Sequence, residues 1–214
     1  MSASVTVVDY GMGNLHSVSR AFEHLGARVE LTEDAGRIAE AHRLVLPGVG
    51  AFRRGMEELD KRGLIEALRG YAASGRPLLG ICLGMQMLFD ESDEFGRHEG
   101  LRLIPGKVSA IPPRRDSDPR KIPHIGWNGL LKVADWTGTL LDGIKEGAEA
   151  YFVHSYTAFP ADDRHRVAEA DYDGFRIAAV VRRDNISGCQ FHPEKSGPVG
   201  LRILSRFVTA DELA

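Results

Sequence analysis

Two hydrophobic periods alternate along the first 90 residues and predict strands that alternate with helices. Strands are predicted where apolar residues run together or alternate with polar ones, at 5–9, 28–32, 43–46 and 77–79. Helices are predicted where apolar residues recur at helical spacing, at 15–25, 35–41, 51–74 with a break near Gly63, and 83–89. Short connections between such units favour a mostly parallel central sheet with helices on both faces.

The second half of the chain has a different pattern, with short alternating segments and Gly or Asp turns. It predicts strands at 108–111, 125–127, 130–133, 151–153, 167–170 and 177–181. We expect these strands to form an antiparallel extension of the same sheet. Residues 186–191 should then return to the main sheet, and residues 198–208 should form a closing helix. The fold class is therefore α/β, with one domain over residues 1–214.

Composition narrows the function classes. The chain has 214 residues, 43% hydrophobic and 27% charged, which suits one globular domain. A formal net charge of -3 disfavours a nucleic-acid-binding surface. Two cysteines are too few for a disulfide framework and indicate a reducing cytoplasm. The N-terminus has no signal-like segment, and no apolar stretch reaches the roughly 18 residues of a membrane span.

Cys82 is the strongest candidate for a nucleophile. It lies in the motif GICLGMQ at 80–86, directly after the apolar run at 77–79. A cysteine between two glycines, where a strand meets a helix, predicts a sharp turn that exposes its side chain. Gly80 and Gly84 are expected where the backbone is strained and closely approached. The start of a helix also favours the thiolate form.

The motif HPE at 192–194 supplies the matching base and acid. His192 can remove the thiol proton and later protonate a leaving group, while Glu194 orients the imidazole. Each motif alone is weak, because most cysteines are core residues and most HPE sequences are loop turns. Together, in the order nucleophile, histidine, acid, they are typical of a thiol hydrolase.

Further residues can complete such a site. The loop PGVG at 47–50 is either a simple tight turn or, opposite Cys82, half of an oxyanion hole. In that case its Val49 N–H and the N–H of Leu83 would hold a negative oxygen. Gln86 lies one turn beyond Cys82, so its amide either contacts a substrate or is solvated.

Other polar segments are ambiguous or excluded. His124 and His154 have no partner at metal-ligand spacing, although His154 could line a pocket. Cys189 is expected to pack as a small core residue. The segment 9–14 lacks the spacing of a nucleotide-binding loop. Residues 112–121 predict a charged surface loop, and a partner or phosphate role for it stays open.

The two catalytic motifs resemble those of class I, triad-type glutamine amidotransferases. Within that family the chain is similar to the branch formed by glutaminase subunits of imidazole glycerol phosphate synthases. The motifs that carry this resemblance are DYGMGNL at 9–15, LPGVGAF at 46–52, PHIGWN at 123–128, YFVHSY at 151–156 and HPEKS at 192–196. Met85 also fits, since several other amidotransferases have histidine there.

The resemblance implies a reaction and a partner. Cys82 would attack the side-chain amide of glutamine, His192 would protonate the departing ammonia, and water would release glutamate. The resemblance implies neither cofactor nor metal. A (β/α)₈ cyclase subunit, bound as a heterodimer, would take the ammonia and form imidazole glycerol phosphate and an aminoimidazole carboxamide ribotide.

The resemblance also implies contacts. Glutamine would be held by Gln86 and by the backbone at four positions: Gly48, Gly50, Ser155 and Tyr156. The partner would lie near Trp127, Asn128 and Lys195. The Gly48–Val49 peptide is the expected switch, which presents a carbonyl to the oxyanion site at rest and flips when the complex forms.

Three alternatives remain at this stage: a stand-alone cysteine hydrolase or peptidase of the same fold, a glutaminase that serves another synthase, and a non-catalytic binding module. Intact Cys82, His192 and Glu194 argue against the last.

Overall fold

The computed structural model describes residues 3–113 and 120–209. Its helices are Leu15–His24 (α1), Ala35–Glu40 (α2), Phe52–Lys61 (α3), Ile65–Ala73 (α4), Leu83–Met87 (α5) and Gly197–Thr209 (α6). Its strands are Ser4–Val8 (β1), Arg28–Thr32 (β2), Leu44–Leu46 (β3), Leu78–Ile81 (β4), Phe89–Ser92 (β5), His98–Glu99 (β6), Ile104–Ala110 (β7), His124–Gly129 (β8), Leu131–Lys132 (β9), Glu149–His154 (β10), Tyr156–Pro160 (β11), Arg166–Tyr172 (β12), Phe175–Arg183 (β13) and Ile186–Cys189 (β14).

An eight-stranded sheet runs through the molecule in the order β2-β1-β3-β4-β14-β13-β12-β9. The pairs from β2 to β14 are parallel, and those from β14 to β9 are antiparallel. Apolar side chains leave both faces of the parallel strands, so that Val5 and Leu79 belong to one core and Val8 and Leu78 to the other. Helices α1 and α6 cover the first core, and α3 and α4 cover the second. The predicted α/β class with a mostly parallel sheet is confirmed.

The first half follows the predicted alternation closely. Strand β2 and helix α1 begin where the hydrophobic pattern places them, and the helical region after residue 50 divides at Gly63, whose φ is +67°. The helix predicted at 83–89 is too long, because it ends at Met87 and Phe89 begins β5. The carbonyl groups of Met87, Leu88 and Phe89 accept hydrogen bonds from the N–H groups of residues 101–104, which draws the chain out of the helix.

The second half corrects the prediction of one extended sheet. Only the segments at 130–133, 167–170 and 177–181 supply strands that extend it, as β9, β12 and β13. The segment at 108–111 belongs to a separate four-stranded sheet with the order β11-β7-β5-β6, in which β5, β6 and β11 were not predicted. The segments at 125–127 and 151–153 form a two-stranded sheet, β8–β10. Short alternating strands encode a buried face but not a pairing partner.

The charged loop predicted at 112–121 is described only at its two ends. Its centre, residues 114–119, lies outside the described residues. Within the part described, no helix is both long and apolar enough to cross a bilayer.

Candidate active site

Cys82 occupies a strained turn between β4 and α5. Its backbone angles, φ of 54° and ψ of -109°, are values that residues other than glycine rarely adopt. A Cβ atom on Gly84 would lie 1.8 Å from the carbonyl oxygen of Leu46, and one on Gly80 would lie 2.7 Å from Cα of Met85. Both glycines are therefore required by the close approach of the backbone, as expected from the motif.

His192 reaches the thiol because β14 lies beside β4 in parallel register. Cys189 pairs with Ile81, and the Cys82 N–H donates to the Cys189 carbonyl at 2.8 Å. Residues that follow Cys189 therefore leave the sheet at the same edge as Cys82. The buried His192 ring lines the same pocket as Cys82, and its Nδ1 lies 2.8 Å from Oε1 of Glu194.

The charges of Cys82 and Glu194 stabilise the protonated form of His192. Burial on its own would lower the pKa of His192, because it penalises the imidazolium. Hydrogen bonds to Cys82 and Glu194, together with the negative charge of both groups, outweigh burial and raise the pKa of His192 to about 10. His192 therefore carries a proton at neutral pH, which it can donate to a leaving group.

Raising the pH should weaken the fold through His192, and Glu194→Gln should reduce that effect. The pKa of His192 rises from 6.5 to about 10 in the folded chain, so its stabilising contribution is complete below pH 6.5 and is lost toward pH 10. Removing the Glu194 charge lowers the pKa of His192 and shrinks this dependence. Urea unfolding of both proteins at about pH 7 and about pH 10 measures it. The same loss of unfolding free energy in both proteins would contradict the assignment.

The loop between β3 and α3 faces the nucleophile with a carbonyl group. The carbonyl oxygen of Gly48 accepts a hydrogen bond from the N–H of Leu83 at 3.3 Å. Because a trans peptide points its N–H away from its carbonyl, the N–H of Val49 is directed away from Leu83. The two predicted oxyanion donors, Val49 and Leu83, therefore do not converge in this conformation.

Tyr10 fixes this loop from below. Its fully buried hydroxyl donates to the Pro47 carbonyl at 2.8 Å. Burial, and next the negative charge of Cys82, raise the pKa of Tyr10 well above its ordinary value. A Cβ atom on Gly48 would lie 2.4 Å from the Tyr10 hydroxyl oxygen, and Gly50 has a φ of +99°. The sequence PGVG is thus required both by space and by backbone conformation.

A pocket of about 360 Å³ opens over Cys82 and His192. Of the predicted substrate contacts, Gly50, Gln86, Ser155 and Tyr156 lie in its wall, together with Val49 and Leu83. Gly48 is buried beneath the wall and reaches the site only through its carbonyl oxygen. A pocket of this size suits a small molecule.

Gln86 presents an acceptor rather than a donor to the pocket. Its Nε2 donates to the Tyr156 carbonyl at 3.0 Å and to Oε1 of Gln190 at 2.9 Å. Both N–H groups are thereby used, because a primary amide has only two. The Oε1 of Gln86 is left to accept from a ligand. Gln86 therefore lies in the pocket wall, as predicted, and can offer a ligand an acceptor but no donor.

Glu94 is a pocket residue that the sequence analysis missed. Its side chain is 9% exposed, and its Oε2 accepts from the N–H of Phe52 at 2.6 Å, at the start of α3. Among the described lining residues it is the sole carboxylate. Its neighbours at 90–94 are mostly acidic and resemble a solvated surface, so no sequence signal distinguishes it.

His154 lines the pocket, as the sequence analysis allowed, and it forms a buried pair with His124. His124 Nδ1 lies 2.9 Å from His154 Nε2, and His154 Nδ1 lies 2.8 Å from the Tyr156 carbonyl. Burial, followed by the charges of His124 and His192, lowers the pKa of His154 to about 3. Burial also lowers the pKa of His124. His154 donates from Nδ1 to the Tyr156 carbonyl that also accepts from Gln86, and His124 supports His154 from behind.

The β8–β10 ribbon forms an apolar platform beside the pocket. Ile125 and Trp127, 58% and 51% exposed, pair with Val153 and Tyr151 and share their face. The Tyr151 carbonyl accepts from the N–H of His192 at 2.9 Å, which connects the platform to the triad. We define this platform as residues 125, 127, 151 and 153.

The other two predicted interface residues, Lys195 and Asn128, differ in whether their side chains are already hydrogen bonded within the chain. Lys195 is exposed directly after the triad. The Asn128 amide is engaged within the chain, because its Oδ1 lies 2.7 Å from His124 Nε2 and its Nδ2 donates to the Asp171 carbonyl. Asn128 therefore positions His124 and keeps at most one N–H group for a partner.

The arrangement supports nucleophilic acyl transfer by a thiol. It combines a nucleophile, a charged general acid and an orienting carboxylate at the edge of a small pocket. In the described residues, no group of three or more His, Cys, Asp or Glu side chains could hold a metal ion.

Comparison with known proteins gives a family match over most of the chain. The family model described as glutamine amidotransferase class-I matches residues 6–210. The chain is 50% identical over 210 residues to imidazole glycerol phosphate synthase subunit HisH 1 of Legionella pneumophila strain Paris, covering 96% of this chain and 99% of the relative. It is 49% identical over 205 residues to subunit HisH of Geobacillus thermodenitrificans strain NG80-2, covering 95% and 94%.

Solved structures with the same fold are more distant in sequence. The structure of PurLQS from Thermotoga maritima has a TM-score of 0.71 and 20% identity, and covers 97% of this chain and 98% of that chain. A glutamine amidotransferase from Thermotoga maritima has a TM-score of 0.61 and 16% identity, and covers 91% and 77%. At these identities the likeness concerns the fold alone.

Proposed function

The chain belongs to the class I glutamine amidotransferase family, and from that membership we propose that it is the glutaminase subunit of an imidazole glycerol phosphate synthase. It hydrolyses glutamine to glutamate and ammonia, and it passes the ammonia to a cyclase subunit in histidine biosynthesis. The observation that carries the proposal is the Cys82–His192–Glu194 triad at the floor of a pocket sized for an amino acid. Relatives about half identical over nearly their whole length, named subunit HisH, support the choice of synthase.

The pocket offers complementary groups to each end of glutamine. Glu94, its buried carboxylate, suits the α-ammonium group. Gln86 has a free Oε1 that can accept from the side-chain amide of the substrate. The backbone of Ser155 and Tyr156 lines the same wall and can bind the α-carboxylate or α-amino end.

The triad then performs two acyl-transfer steps. The Cys82 sulfur attacks the amide carbon, and the oxygen takes up the negative charge. His192, held protonated by Glu194, donates its proton to the departing ammonia and leaves a glutamyl thioester. Water, deprotonated by His192, attacks this thioester, the C–S bond breaks with its electron pair returning to sulfur, and glutamate leaves.

The loop at 47–50 holds this chemistry in a low-activity state. The Gly48 carbonyl occupies the N–H of Leu83, so the oxyanion would meet a lone pair instead of two donors. Rotation of the Gly48–Val49 peptide would withdraw that carbonyl and turn the Val49 N–H toward the site. A glutaminase that releases ammonia without an acceptor wastes nitrogen, which gives the resting state a purpose.

The partner is a (β/α)₈ cyclase subunit that docks on the platform at residues 125, 127, 151 and 153. Exposed apolar side chains continue from the platform to the pocket mouth, where Val49 and Phe95 are 42% and 87% exposed. A contiguous apolar surface of this kind marks an interaction site. A partner seated there would cover the loop at 47–50 and receive ammonia without loss to solvent.

Trp127→Ala should weaken binding of the cyclase subunit by about 10-fold or more, because large aromatic anchors dominate interface energies. Leu31→Ala is the matched control, because Leu31 is also about half exposed, at 49%. Leu31 lies on β2, at one edge of the eight-stranded sheet. The platform strand β8 packs beside β12, near the other edge of that sheet. Calorimetric titration of the cyclase into each variant measures the dissociation constants. Equal weakening by both substitutions would contradict the docking face.

Glutamate release by the purified chain, with and without the ligand-loaded cyclase, tests the proposed function. We expect low activity alone and strong stimulation in the loaded complex. Equal rates in all conditions would favour a stand-alone hydrolase, stimulation by a different synthase would reassign the partner, and no release at all would favour a binding module.

The free thiols of Cys82 and Cys189 suit a reducing compartment such as the cytoplasm.

A further inference from the structure

A buried carboxamide lies behind the nucleophile and has no assigned role in the reaction above. Gln190 follows β14 directly, and its side chain is fully buried. It is not part of the pocket wall, so it does not bind the substrate. Its backbone N–H donates to the Ala179 carbonyl at 2.9 Å, which anchors it to β13. Register places it beside Cys82, because Cys189 pairs with Ile81.

The orientation of the Gln190 amide follows from its neighbours. The Tyr156 carbonyl can only accept, so the group of Gln86 that faces it at 3.0 Å is the donor Nε2. The same Nε2 lies 2.9 Å from the Gln190 side chain, which must therefore present its acceptor Oε1. The remaining group, Nε2 of Gln190, lies 3.7 Å from the Cys82 sulfur. A carbonyl of the main chain thus determines that an N–H donor points at the sulfur.

We propose that Gln190 is a positioning residue that holds the Cys82 sulfur in its reactive direction and stabilises the thiolate through an N–H···S hydrogen bond. An acceptor carrying negative charge binds an N–H donor more strongly than a neutral thiol does. His192 and Gln190 then divide the work. His192 holds the proton that passes to ammonia, and Gln190 holds the sulfur itself.

This role matters again when the thioester is hydrolysed, a step that rests on the proposed function. As the tetrahedral adduct with water collapses, the C–S bond breaks and its electron pair goes to sulfur. The N–H of Gln190 stabilises that leaving thiolate, while the proton removed from water stays on His192. One donor therefore assists both the attack of the sulfur and its departure.

The test uses iodoacetamide as the probe of the thiol, with the free chain in a Cys189→Ala background that leaves Cys82 as its single cysteine. Gln190→Glu keeps the size of the side chain but replaces the donor with a negative acceptor. Gln190→Met keeps its length without adding a charge, and removes both the donor and the Oε1 that accepts from Gln86. We expect alkylation at neutral pH to slow about 10-fold or more in both variants, as for loss of a hydrogen bond to a charged group. The pH at which alkylation is half maximal should move upward, most in the Glu variant.

Steady-state glutamine hydrolysis in the complex adds a second readout. In the Glu variant, which keeps an acceptor for the Gln86 N–H, we expect kcat to fall about 10-fold while KM stays within about 3-fold, because Gln190 is absent from the pocket wall. The Cys189→Ala parent is the matched control, one residue away on the same strand, and should alkylate and turn over like the wild type. Urea unfolding checks each variant; if the Glu variant does not fold, the Met variant decides.

Unchanged alkylation rates in the folded Met variant, or a KM increase with kcat unchanged, would overturn the proposal. The two hypotheses fail separately. Slower alkylation in a chain that does not hydrolyse glutamine would overturn only the proposed function. Normal alkylation of the variants in an active glutaminase would overturn only the role of Gln190.

Discussion

Cys82→Ser should reduce glutamate release by about 10⁴-fold or more while leaving glutamine binding intact. Removal of a triad nucleophile costs rates on this scale, because the oxyanion donors and the binding groups alone supply only a small residual catalysis. A serine hydroxyl occupies nearly the same volume, but it does not transfer its proton to His192 as a thiol does. The groups that we propose to bind glutamine, Gln86, Glu94 and the backbone of the pocket wall, are not changed by the substitution.

Cys189→Ser provides the matched control for that loss. The Cys189 sulfur is fully buried and contacts the Gly80 carbonyl at 3.8 Å, outside the pocket wall. Serine can retain that contact, so we expect activity within about 3-fold of the wild type, with some loss of stability from burying a hydroxyl. Glutamate release and calorimetric glutamine binding measure both variants. Substantial turnover by Cys82→Ser would contradict the assignment of the nucleophile.

Binding of the cyclase subunit with its ligand should raise kcat for glutamine by about 10²- to 10³-fold. In the present conformation the Leu83 N–H is occupied by the Gly48 carbonyl, and the Val49 N–H points away from it. Rotation of one peptide would supply both donors, and a single oxyanion donor changes kcat by about that factor. Because the donors act on the transition state, the stimulation should appear in kcat with little change in KM. Stopped assays over a range of glutamine concentrations separate the two constants.

Substitution of the switch glycine tests the same mechanism from within the chain. Gly48→Ala places a methyl group 2.4 Å from the Tyr10 hydroxyl oxygen and 3.0 Å from Cβ of Leu83, so the loop must move. We expect the stimulation by the partner to change by at least about 10-fold, with glutamine affinity changing less. Replacement of Gly50 by a bulkier residue should also change the stimulation by the partner more than the glutamine affinity, because the φ of Gly50 is +99°. Gly70→Ala, with open space around its Cβ on α4, is the control. A normal stimulation ratio in Gly48→Ala would contradict the peptide switch.

Local sequence predicts the parallel half of the fold because each strand and helix there carries its own periodic signal. The segments from Val5 to Val8 and from Leu78 to Ile81 are mostly apolar and buried at every position, which is typical of strands buried on both faces. The Cys82 turn was predictable for the same reason, since Gly80 and Gly84 mark a backbone crowded by Leu46 and Met85. Features encoded by residues close together in the chain were therefore accessible.

Features that depend on residues far apart in the chain could not be predicted from the sequence. The segment at 151–153 alternates like any edge strand, and nothing within it indicates that β8, rather than the main sheet, is its neighbour. The buried carboxylate of Glu94 accepts from the N–H of Phe52 at the start of α3, a residue far from it in the sequence. Gln190 did carry a local signal, as a polar residue between the apolar Cys189 and Phe191, yet its orientation depends on Gln86 and Tyr156.

The most direct test of the central claim is to detect the glutamyl thioester on the nucleophile. The complex is mixed with glutamine, quenched in acid during turnover, digested, and analysed by peptide mass spectrometry. We expect a mass increase of one glutamyl group on the peptide that contains Cys82, lost on treatment with hydroxylamine. A glutamyl group on Cys189, or steady glutamate release without any adduct on Cys82, would contradict the assignment.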